Sequence, residues 1–411
     1  MAAPIETYKN PPPERFGVPT SASEVVAIFI GSGDFTGAPK MGWHIARAFK
    51  HLGFEVIAIV GRRPADGTSV IDRLRADNII VLEEVGFERL WSFPLANRCA
   101  ARLRAIDPVL VVSVVQNDFK IAAMVARSLG TPLVVMGQSL TTFYGWSVMR
   151  RLKARMFGIL ARRYARLVVC PSHGVANQFR QVHRVDPRNL IVIPNGIEVE
   201  DFAQTHNTCP SSLGDERPLE ILNVGRLDLQ KGQDILLDAV SLLPVALRNR
   251  LKVLFVGRST MGSKASTSFL EGLRRNVNRS GLGLSVSFLG WRDDVPKILG
   301  RCDIYVHSAR WEGLPLSVLE AMAAGLPTIY TDCSGAFEGF VNGVHGFMVK
   351  AGDPSSLCGA LMQMLALTPQ ERFAMGQNAR ELARSNYDIS ALGQRFVESC
   401  VGVIARDRSL S

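Results

Sequence analysis

Short runs of β-branched and aliphatic residues alternate with longer stretches whose apolar positions recur every three or four residues, through most of the chain. The short runs, bounded by turn residues, read as strands and the longer amphipathic stretches as helices. Their alternation is the pattern of a doubly wound parallel sheet. In the first half it predicts strands at 25–30, 55–60, 109–115, 133–136, 167–170 and 190–193, with helices at 41–52, 119–129, 148–164 and 172–182. The polar, proline-bearing stretch QTHNTCPSSLGDERP, 204–218, then breaks the pattern and suits a linker. The alternation restarts with strands at 220–224, 252–256, 285–289, 304–307 and 328–330, and helices at 233–243, 266–280, 315–324, 355–367 and 369–385. The expected organisation is a tail over 1–20, a first Rossmann-like domain over 21–203, the linker, a second Rossmann-like domain over 219–388, and a C-terminal helix within 389–411 that packs back on the first domain. Two such domains would face each other across a cleft, because ligands of these sheets sit beyond the carboxyl ends of the strands.

Composition narrows the function classes. A chain of 411 residues accommodates two domains at about 100–200 residues each. With 47% hydrophobic and 20% charged residues it reads as folded rather than disordered. The net charge of +10 favours anionic partners: nucleotides, phospholipid headgroups, lipid-linked phosphates or nucleic acid. Nucleic acid is set aside, because no recognition motif and no interleaving of basic with aromatic residues accompanies the charge. The cysteines stand singly, with no C-x-x-C pair, and read as buried thiols of a reducing compartment. The first residues, MAAPIETYKNPPPERFGVPT, lack the apolar core of a signal peptide, and no stretch reaches the ~18 consecutive apolar residues of a spanning helix. The expectation is a cytoplasmic protein, free or peripheral at the inner face of the cell membrane.

The most specific stretch is HSARWEGLPLSVLEAMAAGLPTI, 307–329. A strand ends near His307, a loop carries Glu312, Gly313 and Leu314, and a helix starts at Pro315, a first helical position that costs no amide hydrogen bond. The amides of Leu316 and Ser317 then lack intrahelical partners and offer an anion site for a diphosphate. Glu320 on the same helix can accept two ribose hydroxyls, and Glu312 can reach a sugar. Taken singly, the glutamates read first as ordinary carboxylates, Glu320 paired with a nearby base and Glu312 solvated in its loop.

Together these residues resemble the signature of glycosyltransferase family 4, whose members have the GT-B fold and retain the configuration of the transferred sugar. Two glutamates eight positions apart, Glu312 and Glu320 in EGLPLSVLE, followed by AMAAGLP, carry the resemblance. ILNVGRLDLQKG, 221–232, is similar to the family's basic loop, which implies that Arg226 and Lys231 hold the donor diphosphate. Fixed cations there would stabilise the charge that grows on a leaving nucleoside diphosphate. FLGWRDDVPKIL, 288–299, with Arg292, resembles the segment that frames the nucleobase; IPNGIEVEDF, 193–202, resembles the exit from the first domain. TDCSGAFEGFVNGVHGFMV, 331–349, resembles a glycine loop with its acidic residue, here Gly335 and Glu338. The resemblance spans roughly 190–350; the first half matches in outline only.

In that first half, GSGDFTGAPKMGWHIARAF, 31–49, suggests a dinucleotide fingerprint, but the third glycine is missing at position 36, and the NAD reading is rejected. The stretch resembles instead the family's first loop, with Gly37 and Ala38 where that loop is tightest; Gly31 and Gly33 read equally as turn glycines. Lys40 stands where relatives usually carry an acidic residue. Gln138, in LVVMGQSLTTFYG, stands where many relatives have a histidine beside the transferring sugar. It can hydrogen-bond a sugar hydroxyl but cannot serve as an acid or base. His173 opens a helix, where it reads as a sugar contact or as a surface or capping residue. The helix at 148–164 carries Arg150, Arg151, Lys153, Arg155, Arg162 and Arg163 beside an apolar stripe. Such a helix lies on anionic lipid, or packs its stripe internally and leaves the basic face solvated.

The resemblance implies a retaining hexosyltransferase. It would move sugar from a nucleoside-diphosphate donor, UDP-sugar favoured over GDP-sugar, to a glycan or lipid-linked acceptor in polysaccharide or lipopolysaccharide synthesis. No metal and no cofactor are expected, since Arg226, Lys231 and the helix amides neutralise the phosphates. The alternatives are a catalytically weak nucleotide-sugar-binding partner protein, motivated by Gln138, and a sugar-phosphate synthase of the same fold.

Overall fold

The computed structural model describes residues 24–64, 68–87, 92–114, 118–138, 148–202, 217–259, 264–283, 285–333 and 337–409, the side chains of 148–154 excepted. The tail over 1–20, the linker through residue 216, Gly335 and the basic side chains of Arg150, Arg151 and Lys153 lie outside the described residues. The chain divides into two units, one formed by residues 1–196 and 389–411, the other by 197–388.

The first unit runs β1 (Val25–Ile30), α1 (Gly37–His51), β2 (Glu55–Val60), α2 (Val70–Ala76), β3 (Ile80–Glu83), α3 (Phe93–Arg104), β4 (Leu110–Ser113), α4 (Phe119–Leu129), β5 (Leu133–Met136), α5 (Val148–Tyr164), β6 (Ala165–Cys170), α6 (His173–Gln181) and β7 (Leu190–Val192). Its strands form one parallel sheet in the order β3-β2-β1-β4-β5-β6-β7. β1 is apolar at every position, and Val26 through Ile30 are fully buried, as expected of a central strand covered on both faces. Burying side chains of this size contributes roughly 1.5–3 kcal/mol each.

The second unit repeats the plan: β8 (Leu219–Val224), α7 (Gln233–Leu242), α8 (Val245–Arg248), β9 (Leu251–Val256), α9 (Lys264–Arg279), β10 (Val286–Gly290), α10 (Val295–Leu299), β11 (Ile304–His307), α11 (Leu316–Ala323), β12 (Thr328–Asp332), β13 (Gly346–Lys350), α12 (Pro354–Ala366) and α13 (Pro369–Asn386). The sheet order is β10-β9-β8-β11-β12-β13, again parallel throughout. In each sheet the chain winds outward in one direction, returns to the centre and winds outward in the other. The order therefore reverses between β1 and β4 in one unit, and between β8 and β11 in the other. Loops leaving the carboxyl ends of two such strands diverge and open a crevice, the usual ligand position of doubly wound sheets.

The last helix, α14 (Ile389–Arg408), packs on α1 within the first unit. Gly393 lets the helices approach, since a Cβ there would lie 3.0 Å from that of Ala48, and Phe396 meets Phe49 edge to face at 6.2 Å. The units change at Gly196/Ile197 and Asp388/Ile389, not at residue 203. The Ile197 amide donates to the Tyr387 carbonyl at 3.0 Å, so the chain has already entered the second unit at this residue.

Further differences from the predicted elements follow from local chemistry. α1 starts at Gly37, four residues before the apolar periodicity begins, and Thr36 precedes it without a side-chain cap. Pro315 is the extended residue before α11, at φ −75° and ψ 120°, rather than its first helical residue. The strands β3 and β13 and the helices α2, α3, α8 and α10 are additional to the predicted set.

Candidate functional site

The site in the second unit is built on the two strands at its switch point. β8 ends at Val224 and hands over to a loop, Gly225–Gly232, that carries Arg226 and Lys231 into α7. β11 ends at His307 and hands over to 308–315, which carries Glu312, Gly313 and Leu314 into α11. The strands are paired, Ile304 with Ile221 and Tyr305 with Leu222, so the loops emerge side by side.

The loops are fastened together by backbone and side chains. Gly232 adopts φ +63° as the residue before α7, and a Cβ on it would stand 2.1 Å from the Ser308 carbonyl oxygen. No side chain fits there. The Ser308 hydroxyl donates to the Lys231 carbonyl at 3.1 Å, and the Arg310 amide donates to the Gln230 carbonyl at 2.8 Å. The Arg310 guanidinium grips Asp234 of α7 through two bonds of 2.8 and 2.7 Å and donates to the Leu229 carbonyl at 3.0 Å. Beneath them buried Asn223 donates to the Val306 carbonyl at 2.8 Å, and the Gln233 side chain holds the Arg226 carbonyl at 2.9 Å.

This scaffold brings together three of the residues expected at the reaction. Lys231 and Glu312 form a close ion pair, with side chains only 16% and 13% exposed. Arg226, more open, donates to the Gln230 side-chain oxygen at 2.9 Å and lies 3.5 Å from Asp228. Gln230 in turn donates to Glu312 and to the Trp311 carbonyl, both at 3.2 Å. Two cations and a carboxylate thus share one network at the carboxyl end of the sheet.

α11 completes the site from the other loop. Gly313, Leu314 and Leu316 are buried, while Ser317 and Glu320 are half-buried on the helix. Its first amides lie in the opening turn, where no intrahelical acceptor exists. Tyr305 of β11 lies buried near Ser317 and Glu320, and burial pushes its hydroxyl above the usual range. His307 is 2% exposed with neither ring nitrogen hydrogen-bonded; burial, then the charge of Lys231, holds its imidazole neutral. Cys333 offers no nucleophile: burial pushes its thiol up to about 12.

The remaining candidates fall elsewhere. Arg292 follows the edge strand β10 and is taken up by Asp294 through two bonds of 2.7 Å on the surface; its neighbour Trp291 lies beneath the Arg258 guanidinium at 5.0 Å. Gly37, Ala38, Gln138 and His173 belong to the first unit. Gly37 opens α1, exposed, and a Cβ there would meet nothing within 4 Å, so the loop is not tightest at that point. The close approach is at Gly33, where a Cβ would stand 2.5 Å from the Arg62 carbonyl oxygen. Across that unit's switch point the Gly31 amide donates to buried Asp118 at 2.9 Å. Gln138 lies two residues past β5, with a 3.9 Å contact to the Met136 sulfur, and His173 starts α6 after Ser172, whose hydroxyl caps the Val175 amide. Gln230, Asp234, His307 and Arg310 were not singled out from the sequence. The one available signal was position: Gln230, His307 and Arg310 lie inside the two motif segments, and Asp234 two residues beyond the first.

Among the described residues no three His, Cys, Asp or Glu side chains gather where a metal ion could be held. None of the described helices is long and apolar enough to cross a membrane.

Residues 35–201 match the family model described as Glycosyltransferase Family 4, and residues 208–382 match that of Glycosyl transferases group 1. The chain is 31% identical to the UDP-Gal:alpha-D-GlcNAc-diphosphoundecaprenol alpha-1,3-galactosyltransferase of Escherichia coli, over 44% of this chain and 46% of that one. It is 33% identical to the mannosylfructose-phosphate synthase of Agrobacterium fabrum, over 33% of this chain and 30% of that one. The likeness to both relatives thus runs over less than two thirds of their length. Among solved structures, Anabaena HepE in complex with UDP and glucose superposes with a TM-score of 0.79, at 22% identity, over 92% of this chain and 100% of that one. Half by half, the chain belongs to the glycosyltransferases of family 4 and group 1, and its two Rossmann-like units are those of the GT-B fold.

Proposed function

We propose that the protein is a retaining hexosyltransferase whose second unit binds a nucleoside-diphosphate sugar, a UDP-sugar in preference to a GDP-sugar. The observation that carries this reading is the gathering of Arg226, Lys231 and Glu312 at the β8/β11 switch point, beside the open first turn of α11. A diphosphate entering there replaces Glu312 as the counter-charge of Lys231. Glu312 is then released towards the hydroxyls of the donor sugar, and Glu320 takes the ribose. The acceptor hydroxyl oxygen bonds to the anomeric carbon on the face from which the phosphate departs. The bond from that carbon to the β-phosphate oxygen breaks, and that oxygen takes the hydroxyl proton. Arg226, Lys231 and the α11 amides stabilise the charge left on the nucleoside diphosphate. No protein base is required, so Gln138 in place of a histidine is compatible with turnover. The acceptor is a glycan or lipid-linked glycan of surface-polysaccharide or lipopolysaccharide synthesis, a class in keeping with the diphosphoundecaprenol substrate named for the Escherichia coli relative.

The test is a thermal-shift titration of the wild type and Glu320→Ala with UDP, GDP and ADP. Ligand that binds the folded state raises the melting temperature by mass action. A shift with UDP that is lost in Glu320→Ala is the expected result. The absence of a shift with all three nucleotides would overturn the reading. The likeness to a sugar-phosphate synthase supports a second acceptor class, a free sugar phosphate, which product analysis with fructose 6-phosphate separates from transfer to a lipid-linked glycan.

A further inference from the structure

In the proposed donor site Lys231 pairs with Glu312 directly, while one neutral side chain links Arg226 to that carboxylate. Gln230 accepts from the Arg226 guanidinium at 2.9 Å through its amide oxygen. Through its amide nitrogen it donates to Glu312 and to the Trp311 carbonyl, each at 3.2 Å. Its own backbone carbonyl receives the Arg310 amide at 2.8 Å, and Arg310 is locked to Asp234 and to the Leu229 carbonyl. The carboxamide is therefore held from the backbone side by the clamp between the two loops. An amide group is the fitting choice for this position. It presents an acceptor to a guanidinium and a donor to a carboxylate at once, which neither a carboxylate nor an ammonium does.

We infer that Gln230 is the positioning residue of the donor site, fixing Glu312, the sugar contact, relative to Arg226, a diphosphate contact. The inference rests on the donor-site reading and extends it to a residue with no direct role in the transfer. Physically, Arg226 is 43% exposed and on its own would sample many rotamers, so its bond to Gln230 narrows them before substrate arrives. On the other side, Gln230 supplies Glu312 with a donor that remains when Lys231 turns to the phosphate. The carboxylate is then not left without a partner in a half-buried loop.

The consequence is a division that a purely structural residue would not produce. Gln230→Glu keeps an acceptor for Arg226 but loses the donor to Glu312 and sets a second carboxylate against it. Gln230→Leu loses both bonds at similar volume. The experiment measures UDP and UDP-glucose affinity by calorimetry, slow hydrolysis of UDP-glucose, UDP-galactose and GDP-mannose without acceptor, and melting temperature, for wild type and both variants. The expected result for Gln230→Glu is UDP affinity within threefold of wild type, with hydrolysis reduced at least tenfold. For Gln230→Leu both are reduced at least tenfold, with melting temperatures near wild type. Native kinetics in Gln230→Leu would overturn the inference. So would a parallel loss of UDP affinity and hydrolysis in both variants accompanied by a lower melting temperature, which marks a merely structural role. A wild type that binds none of these nucleotides sinks the donor-site reading itself, a different failure.

Discussion

At the scale of single residues, three buried histidines weaken the fold in acid. His44, His183 and His307 are 3%, 4% and 2% exposed, and burial pulls each imidazole below its ordinary range. His183 is packed edge-on by Phe157 at 5.8 Å and Phe179 at 5.2 Å, against the bare backbone of Gly158, and burial brings it down to about 4. In the unfolded chain the same group protonates near 6.5. Between those values the unfolded state binds the proton and the folded state resists it. Stability is therefore full above about pH 6.5, falls as pH drops towards 4, and levels off below, with about 3 kcal/mol at stake. His44 and His307 act in the same sense, so the comparison that isolates His183 is between wild type and His183→Phe. Unfolding free energies from urea titrations at pH 7 and pH 4.5 should differ by about 2 kcal/mol less in the variant than in wild type; identical pH slopes in the two proteins would refute the assignment.

At the scale of elements, the loop from β8 to α7 works as a piece fitted against the loop from β11. Its fit depends on Gly232, whose φ of +63° and 2.1 Å approach to Ser308 leave no room for a methyl group. Gly232→Ala should cost about 2–4 kcal/mol, from backbone strain and displaced loop together, and abolish the UDP-induced thermal shift. Thr368→Ala provides the contrast. It removes the capping box of α13, in which Glu371 accepts from the Thr368 amide at 2.7 Å and donates its own amide to the Thr368 hydroxyl at 3.2 Å. That change should cost about 1 kcal/mol and leave the UDP shift intact. A UDP shift that survives Gly232→Ala would show that the loop junction does not shape the site. The same contrast explains what was legible in the sequence. Central strands such as Val25–Ile30 and Glu55–Val60 stood out because burial on both faces makes them continuous apolar runs. The edge strands β3 and β13 did not: Ile80 is 57% and Met348 41% exposed, so their patterns are broken by solvent. In the site, Glu312, Glu320, Arg226 and Lys231 were legible because contiguous motifs carry them. Gln230 was not, because its role lies in a contact with Glu312 across 82 residues, and Arg310 meets Asp234 across 76.

At the scale of the whole molecule, the net charge of +10 needs a physical consequence, and α5 is where the described surface supplies one. Phe157 and Ala161 of this helix are buried in the first unit's core, against Phe119 and Phe179, so its apolar stripe is internal. Arg155, Arg162 and Arg163 stay exposed, and Ile159 between them is 47% exposed. Among the described side chains this is a basic face with a single exposed apolar residue, suited to touching headgroups rather than entering the acyl layer. We propose that the face holds the protein at an anionic bilayer, where a lipid-linked acceptor would be presented. Each basic side chain at such a surface contributes about 1 kcal/mol, so three give roughly a hundredfold in partitioning, with screening over about 8–10 Å in physiological salt. Co-sedimentation with vesicles of phosphatidylglycerol and phosphatidylcholine should show binding that weakens as salt is raised. Arg162→Glu with Arg163→Glu should lose most of it, while the UDP thermal shift proposed for the other unit should be unchanged. Binding to pure phosphatidylcholine of equal strength would point to apolar insertion instead. Binding that survives the charge reversal would move the contact to another face of the molecule.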